Sequence, residues 1–321
     1  MLAVTLATLV TAAVAVASVV APAITPSAPR TTVEVGFRTL TLIDRSRTAD
    51  LPSGATQPRI MTTEIFYPAL GSLGTGDVHD APAARTGGPY PLVIFGQGFG
   101  PPPGYYVQLL DALARGGYVV AAPKYPFASL GAQGSTAYPL TNEADQVNQP
   151  GDDRFVITEM LAQSARANTP FSGLINPRRI VVSGQSDGGD AALAVAFDPA
   201  FHDPRVGAAV IFSGTEIPQL GAFAFPTHGP PLLATQGSDD TINLPAATAQ
   251  FFAAAPRPKF LLTLIGAMHL PPYHSQQPQL GIVASVTIAF LDRYLKGQGA
   301  GLRRMQAAGN VPGVATLSSN P

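Results

Sequence analysis

The chain contains no cysteine. It can therefore form no disulfide, present no thiolate nucleophile, ligate no zinc through sulfur and carry no lipidated cysteine of a lipoprotein. Any covalent nucleophile must be an oxygen, a nitrogen or a carboxylate.

Charged side chains are also scarce. They make up 12% of the 321 residues, 19 basic and 20 acidic, and the formal net charge is -1. This is about half the usual charged share, and no long basic run occurs, so nucleic acid is not an expected partner. Hydrophobic residues supply 46% of the chain, which excludes overall disorder and allows a sizeable core. The 32 glycines and 32 prolines favour many short elements, as in an α/β protein.

The N-terminal residues need separate treatment. Leu2 to Ala21 is uncharged and close to the roughly 20 residues that span a bilayer. Small residues two apart, at Ala15 and Ala17 and again at Ala21 and Ala23, favour a secretory signal peptide, although no Lys or Arg precedes the run. A membrane anchor and a buried helix are the alternatives. We assign residues 1-30 to a signal peptide or membrane anchor plus linker, and expect a secreted or cell-envelope-associated protein.

From residue 31 onward, β-branched apolar runs alternate with helical patterns, which predicts a mostly parallel sheet flanked by helices. Eight strands are predicted, at residues 33-43, 60-67, 92-95, 118-122, 179-183, 206-212, 231-235 and 259-265. Helices are predicted at residues 104-115, 152-167, 188-197, 244-254 and 282-295. The first two strands lack an intervening helix and should pair antiparallel at one edge. We expect one domain over residues 31-296 and a loosely held tail over 297-321.

One motif carries chemistry. Gly184-Gln185-Ser186-Asp187-Gly188-Gly189 follows the fifth predicted strand and opens a helix. Such a strand-turn-helix exposes the serine Oγ above a helix N-terminus, which favours developing negative charge, although a glycine-rich turn can also be ordinary. The seventh strand is followed by Gly237-Ser238-Asp239-Asp240, and the eighth by Gly266-Ala267-Met268-His269. The order Ser, Asp, His is expected of one fold.

With these motifs the chain resembles the α/β-hydrolase family over nearly all of residues 31-296. The resemblance implies an α/β-hydrolase fold with Ser186 as nucleophile, His269 as general base and acid, and Asp240 as the group that orients the imidazole. The Gly-x-x-Asp spacing selects Asp240, with its neighbour Asp239 as the alternative. His274 is the alternative base.

The loop Phe95-Gly96-Gln97-Gly98-Phe99-Gly100 resembles the His-Gly-Phe-Gly loop of the platelet-activating-factor acetylhydrolase, chlorophyllase and polyester hydrolase branch. Gln97 stands in place of the usual histidine. The resemblance implies that the backbone N-H groups of Phe99 and Asp187 form the oxyanion hole. The Asp187 carboxylate would oppose a developing oxyanion unless it is paired or points away.

No cofactor or metal is expected. Gly96 and Gly98 do not make a dinucleotide loop, because the third glycine is missing and no acid ends the next strand. The stretch Asp77 to Asp80 is too short and isolated to argue for a metal site. His79 is most simply a loop residue.

The sequence also bears on the substrate. Only about 17 residues, Gly214 to Pro230, lie between the sixth and seventh predicted strands, which leaves no room for a helical cap. We expect an open site for esters on polymers, on aggregates or with short acyl chains. Phe99, Phe223 and Phe225 are candidate wall residues, with plain core packing as the alternative for Phe223 and Phe225. The predicted function is a serine carboxylic-ester hydrolase. A lipase, thioesterase or acyltransferase with the same residues, or a catalytically silent binding protein, are the alternatives.

Overall fold

A computed structural model describes residues 34-51, 53-71, 76-129, 141-220 and 223-320, which lie in one compact unit. The predicted signal peptide or anchor lies outside these residues. Within the described ranges, no helix is both long enough and apolar enough to cross a bilayer.

The core of the fold is a ten-stranded mixed sheet. Its strands are β1 (Glu34–Asp50), β2 (Thr56–Ala69), β3 (Asp77–His79), β4 (Tyr90–Gly96), β5 (Val119–Pro123), β6 (Ile175–Gln185), β7 (Val206–Phe212), β8 (Leu232–Gly237), β9 (Lys259–Leu264) and β10 (Ala315–Asn320). They lie in the order β10-β9-β8-β7-β6-β4-β5-β2-β1-β3. The six strands from β9 to β5 in this order are parallel, and β2 pairs antiparallel with both β1 and β5.

Helices cover both faces of this sheet. They are α1 (Val107–Arg115), α2 (Gln149–Ala165), α3 (Asp187–Phe197), α4 (Pro245–Ala254), α5 (Gln279–Tyr294) and α6 (Gly301–Gly309). Apolar residues of α1, α5 and α6 share one core, and those of α2, α3 and α4 share the other. Every residue of β4 and β5 is buried, as expected for parallel strands covered on both faces. The predicted α/β-hydrolase fold is confirmed, with ten strands described instead of eight.

The first hairpin is longer than predicted. The β1-β2 ladder runs from the pair Glu34 and Ala69 to the pair Asp50 and Thr56, so most of the polar stretch over residues 45-59 is strand. Its buried Arg59 donates to the carboxylates of Asp145 and Asp152 at 2.7 to 2.9 Å. This charge network fastens the polar end of the hairpin to the start of α2.

The C-terminal residues differ from the expected loosely held tail. Residues 301-309 form α6, and β10 pairs antiparallel with β9 over six residues. Ala315 and Leu317 of β10 are buried in alternation with exposed neighbours, and Met305 of α6 is fully buried. Burial of these apolar side chains stabilises the segment. Its largely polar composition gives no indication of that burial.

Candidate active site

Ser186 occupies a sharp turn between β6 and α3. Its φ of 53° and ψ of -126° lie outside the regions that side-chain-bearing residues favour. The turn also needs very close backbone approach: a Cβ on Gly184 would overlap the backbone of Gly188, and a Cβ on Gly188 would overlap that of Gly96. The glycines of the motif therefore let α3 descend onto the ends of β4 and β6 while Ser186 stays at the turn.

Asp240 and His269 form a hydrogen-bonded pair beyond the ends of β8 and β9. The His269 Nδ1 and Asp240 Oδ2 atoms are 2.8 Å apart, and Asp240 is buried. Its Oδ1 accepts the backbone N-H groups of Ile242 and Asn243, and the Gln236 amide donates to its Oδ2. Burial raises the pKa of Asp240, but these bonds, led by that of His269, outweigh it and lower the pKa below its usual value. The carboxylate is thus held ionised beside the imidazole.

The two alternative residues lie elsewhere. Asp239 is exposed and accepts a hydrogen bond from Ser238 Oγ at 2.8 Å. The His274 ring lies against that of Tyr105, with ring centroids 4.3 Å apart. The geometry therefore places Asp240, and neither of these residues, against His269.

His269 does not contact Ser186 through a hydrogen bond in this structure. Its Nε2 instead lies 3.1 Å from the Nε2 of Gln185, the last residue of β6. All three predicted residues follow parallel strands and therefore lie at the same carboxyl edge of the sheet.

The predicted oxyanion loop lies against the nucleophile. A Cβ on Gly98 would be 3.2 Å from Ser186 Cβ. The loop is held by the Gly100 N-H, which donates to the Ala128 carbonyl at 2.7 Å, and by the Gln97 amide, which donates to Ser129 Oγ at 2.6 Å. Gln97 thus anchors the loop from a fully buried position, and Phe99, two residues further on, is half-buried.

Asp187 is the first residue of α3, where backbone N-H groups lack intrahelical partners. Its side chain is 6% exposed, and among the described residues its Oδ2 has no hydrogen-bond partner. Burial, with a smaller contribution from Glu143, raises the pKa of Asp187 to about 7, against the opposing effects of its own backbone N-H and of His269. A protonated carboxyl removes the charge that would oppose an oxyanion.

Phe223 and Phe225 occupy a different place from the one expected of substrate-wall residues. The Phe225 ring packs on Phe197 at 5.3 Å between centroids, and Phe223 packs on Phe225 at 4.7 Å. Phe197 ends α3, about 15 Å along the helix from its start beside Ser186. This position favours the core-packing alternative for both rings.

Sequence reasoning missed two residues that contact the site. Gln185 is 1% exposed and its amide reaches His269, while Tyr106 is fully buried and its hydroxyl donates to Gln185 Oε1 at 2.8 Å. Gln185 could have been noticed as the residue before Ser186. Tyr106 carries no sequence signal, because it is 79 residues from its partner.

No group of three His, Asp or Glu side chains suited to a metal ion occurs in the part of the chain that the structure describes. His79 lies in β3, and its ring packs edge-on against Phe37 with 4.7 Å between centroids.

Comparison with known proteins agrees with this architecture. Residues 37-165 match the family described as platelet-activating factor acetylhydrolase, isoform II, and this match ends before Ser186. A ferulic acid esterase from Streptomyces cinnamoneus has a similar structure, with a TM-score of 0.60 and 22% sequence identity over 85% of this chain and 93% of that chain. No curated protein matches the chain. The protein has an α/β-hydrolase fold, and its predicted resemblance to the acetylhydrolase branch is confirmed.

Proposed function

We propose that the protein is a serine carboxylic-ester hydrolase that works through an acyl-enzyme. The observation that carries this proposal is the Asp240-His269 pair, 2.8 Å apart, at the same sheet edge as the strained turn of Ser186. The matched acetylhydrolase family and the structurally similar ferulic acid esterase support ester cleavage as the class of reaction.

In the proposed reaction, Ser186 Oγ attacks the ester carbonyl carbon while His269 Nε2 takes its proton. The Phe99 and Asp187 N-H groups stabilise the resulting oxyanion, and each donor contributes on the order of 3 kcal/mol to barrier lowering. His269 then protonates the departing alcohol. Water, deprotonated by the same imidazole, releases the acid and restores Ser186.

An open site supports a substrate presented on a polymer, on an aggregate or with a short acyl chain. In the described parts of the β7-β8 connection, residues 213-220 and 223-231, the only helical element is the three-residue turn Pro218–Leu220. Large apolar side chains are exposed after the carboxyl ends of β4, β8 and β9: Tyr105, Ile242, Leu244 and Met268. Exposed apolar side chains at this edge of the sheet suit a poorly soluble ester. Such substrates are consistent with the proposed secreted or envelope-associated location.

The test is hydrolysis of p-nitrophenyl acetate, butyrate, octanoate and palmitate by the wild type and by Ser186→Ala. We expect turnover that the substitution abolishes. The dependence of the rate on acyl-chain length distinguishes an esterase from a lipase. Product analysis with added alcohols divides hydrolysis from acyl transfer. Equal rates for wild type and variant would contradict the proposal and favour a catalytically silent binding protein.

A further inference from the structure

A chain of hydrogen bonds joins the oxyanion loop to the imidazole. The Gly98 N-H donates to the Tyr106 hydroxyl at 3.3 Å, and that hydroxyl donates to Gln185 Oε1 at 2.8 Å. The Gln185 amide nitrogen lies 3.1 Å from His269 Nε2 and 3.2 Å from the His269 carbonyl oxygen. Both interior members, Tyr106 and Gln185, are at most 1% exposed, so solvent does not compete for these bonds.

The bond directions in this chain follow from the positions of its donors and acceptors. A backbone N-H can only donate, so the Tyr106 oxygen is the acceptor from Gly98. Tyr106 has one hydroxyl proton, which it donates to Gln185 Oε1. The NH2 end of the Gln185 amide must then face His269, and a donor there requires an unprotonated Nε2 on the imidazole.

The other end of the chain gives the same answer independently. The His269 carbonyl oxygen can only accept, and it lies 3.2 Å from the Gln185 nitrogen, so the NH2 group again must face the histidine. The imidazole proton is then on Nδ1, 2.8 Å from Asp240 Oδ2, where it is donated to the carboxylate. No other orientation of the Gln185 amide satisfies both fixed ends.

From this geometry we infer that Gln185 and Tyr106 are positioning residues that fix His269 in the tautomer with a proton on Nδ1 and a lone pair on Nε2. The inference rests on the proposed function, since this is the form that can accept the Ser186 proton. The Gln185 N-H donates a hydrogen bond to this lone pair until the Ser186 Oγ-H replaces it as the donor. After proton uptake, the Nε2-H would face another donor, so the imidazolium is released from Gln185 toward the leaving alcohol.

The main test is the isosteric variant Gln185→Glu, read by 15N NMR of protein labelled at histidine. The chain has five histidines, and His269→Ala identifies the ring signals of His269. A carboxylate at residue 185 accepts from Tyr106 and can only accept from the imidazole. We expect His269 Nε2 to be unprotonated in the wild type and protonated in Gln185→Glu, with kcat lowered about 100-fold or more and KM nearly unchanged.

A second variant decides the matter if the buried carboxylate prevents folding. Tyr106→Phe leaves Gln185 Oε1 without its donor, and we expect kcat to fall about tenfold together with a change in the His269 ring signals. Tyr118→Phe is the matched control, because Tyr118 is equally buried and its hydroxyl donates to Asp292 at 2.9 Å, outside this chain of bonds. Its kcat and His269 signals should equal those of the wild type.

A protonated Nε2 in the wild type, or folded Gln185→Glu and Tyr106→Phe variants with wild-type kcat and ring signals, would overturn the inference. The ring signals are recorded without substrate. An absence of ester turnover in the wild type would therefore refute the proposed function and leave the assignment of the tautomer to be decided by NMR alone.

Discussion

Replacing Asp187 with Asn should change how both stability and activity depend on pH. The carboxyl is buried at the start of α3, and its pKa is raised to about 7, chiefly by burial. Asn keeps the backbone N-H proposed for the oxyanion hole and nearly the same shape, but it cannot ionise. The difference between wild type and variant therefore isolates the ionisation of this one group.

The size of the effect on stability follows from the change in pKa. The rise from 3.8 to about 7 corresponds to roughly 4 kcal/mol, because a tenfold change in an acid dissociation constant is worth about 1.36 kcal/mol. Below about pH 4 the carboxyl is neutral in both the folded and unfolded chains and has no effect. Between about pH 4 and 7 the unfolded chain ionises first, so the wild type loses stability relative to the variant. Above about pH 7 the full penalty is present.

Two measurements check this prediction. Urea unfolding at about pH 4 and about pH 8 should show a wild-type deficit relative to Asp187→Asn that grows by several kcal/mol. The kcat for p-nitrophenyl butyrate should fall on the order of tenfold above pH 7 in the wild type only, because the carboxylate then opposes the oxyanion. Asp239→Asn, which removes an exposed charge next to Asp240 in the sequence, is the control. Parallel pH profiles for wild type and Asp187→Asn in both assays would refute the reasoning.

Three further outcomes follow from the structure. Asp240→Asn should lower kcat on the order of 10³-fold or more through loss of the imidazole partner, whereas Asp239→Asn should change it less than about twofold; the reverse order in steady-state kinetics would exchange their roles. Gly188→Ala should lose about 3 kcal/mol or more in urea unfolding, because its Cβ overlaps the backbone of Gly96, and wild-type stability would contradict this close approach. Arg59→Met leaves the buried Asp145 without its cation and Asp152 with Arg47 alone, and it should cost about 3 to 5 kcal/mol at pH 7, with an unchanged Tm as the contrary result.

The strand-turn-helix around Ser186 could be predicted because all its signals are local. Glycine spacing, an apolar strand and a helical pattern lie within a few residues of each other, and the turns before Asp240 and His269 have the same property. Local patterns also found all the helices from α1 to α5 and every strand except β3 and β10. Each of these elements buries a continuous apolar run or stripe, which is what sequence periodicity reports.

The features that could not be predicted from the sequence depend on contacts between residues far apart in the chain. Gln185 contacts His269 across 84 positions, and no spacing in the sequence reports that contact. The strand β10 is polar on one side and gains its burial from β9, so its composition resembles that of a loose tail. Phe225 lies in the loop between β7 and β8, but its ring packs against Phe197 at the C-terminal end of α3. Local composition does not indicate which residue an aromatic ring will pack against.

The most direct test of the central claim is covalent labelling of the wild-type protein by a fluorophosphonate, read by intact-mass and peptide mass spectrometry. The strained turn and the Asp240-His269 pair predict one phosphonyl group per chain, attached to Ser186, and no labelling of Ser186→Ala or of the heat-unfolded wild type. A folded wild-type protein that stays unlabelled, or a label attached to another residue, would contradict the assignment of Ser186 as the nucleophile.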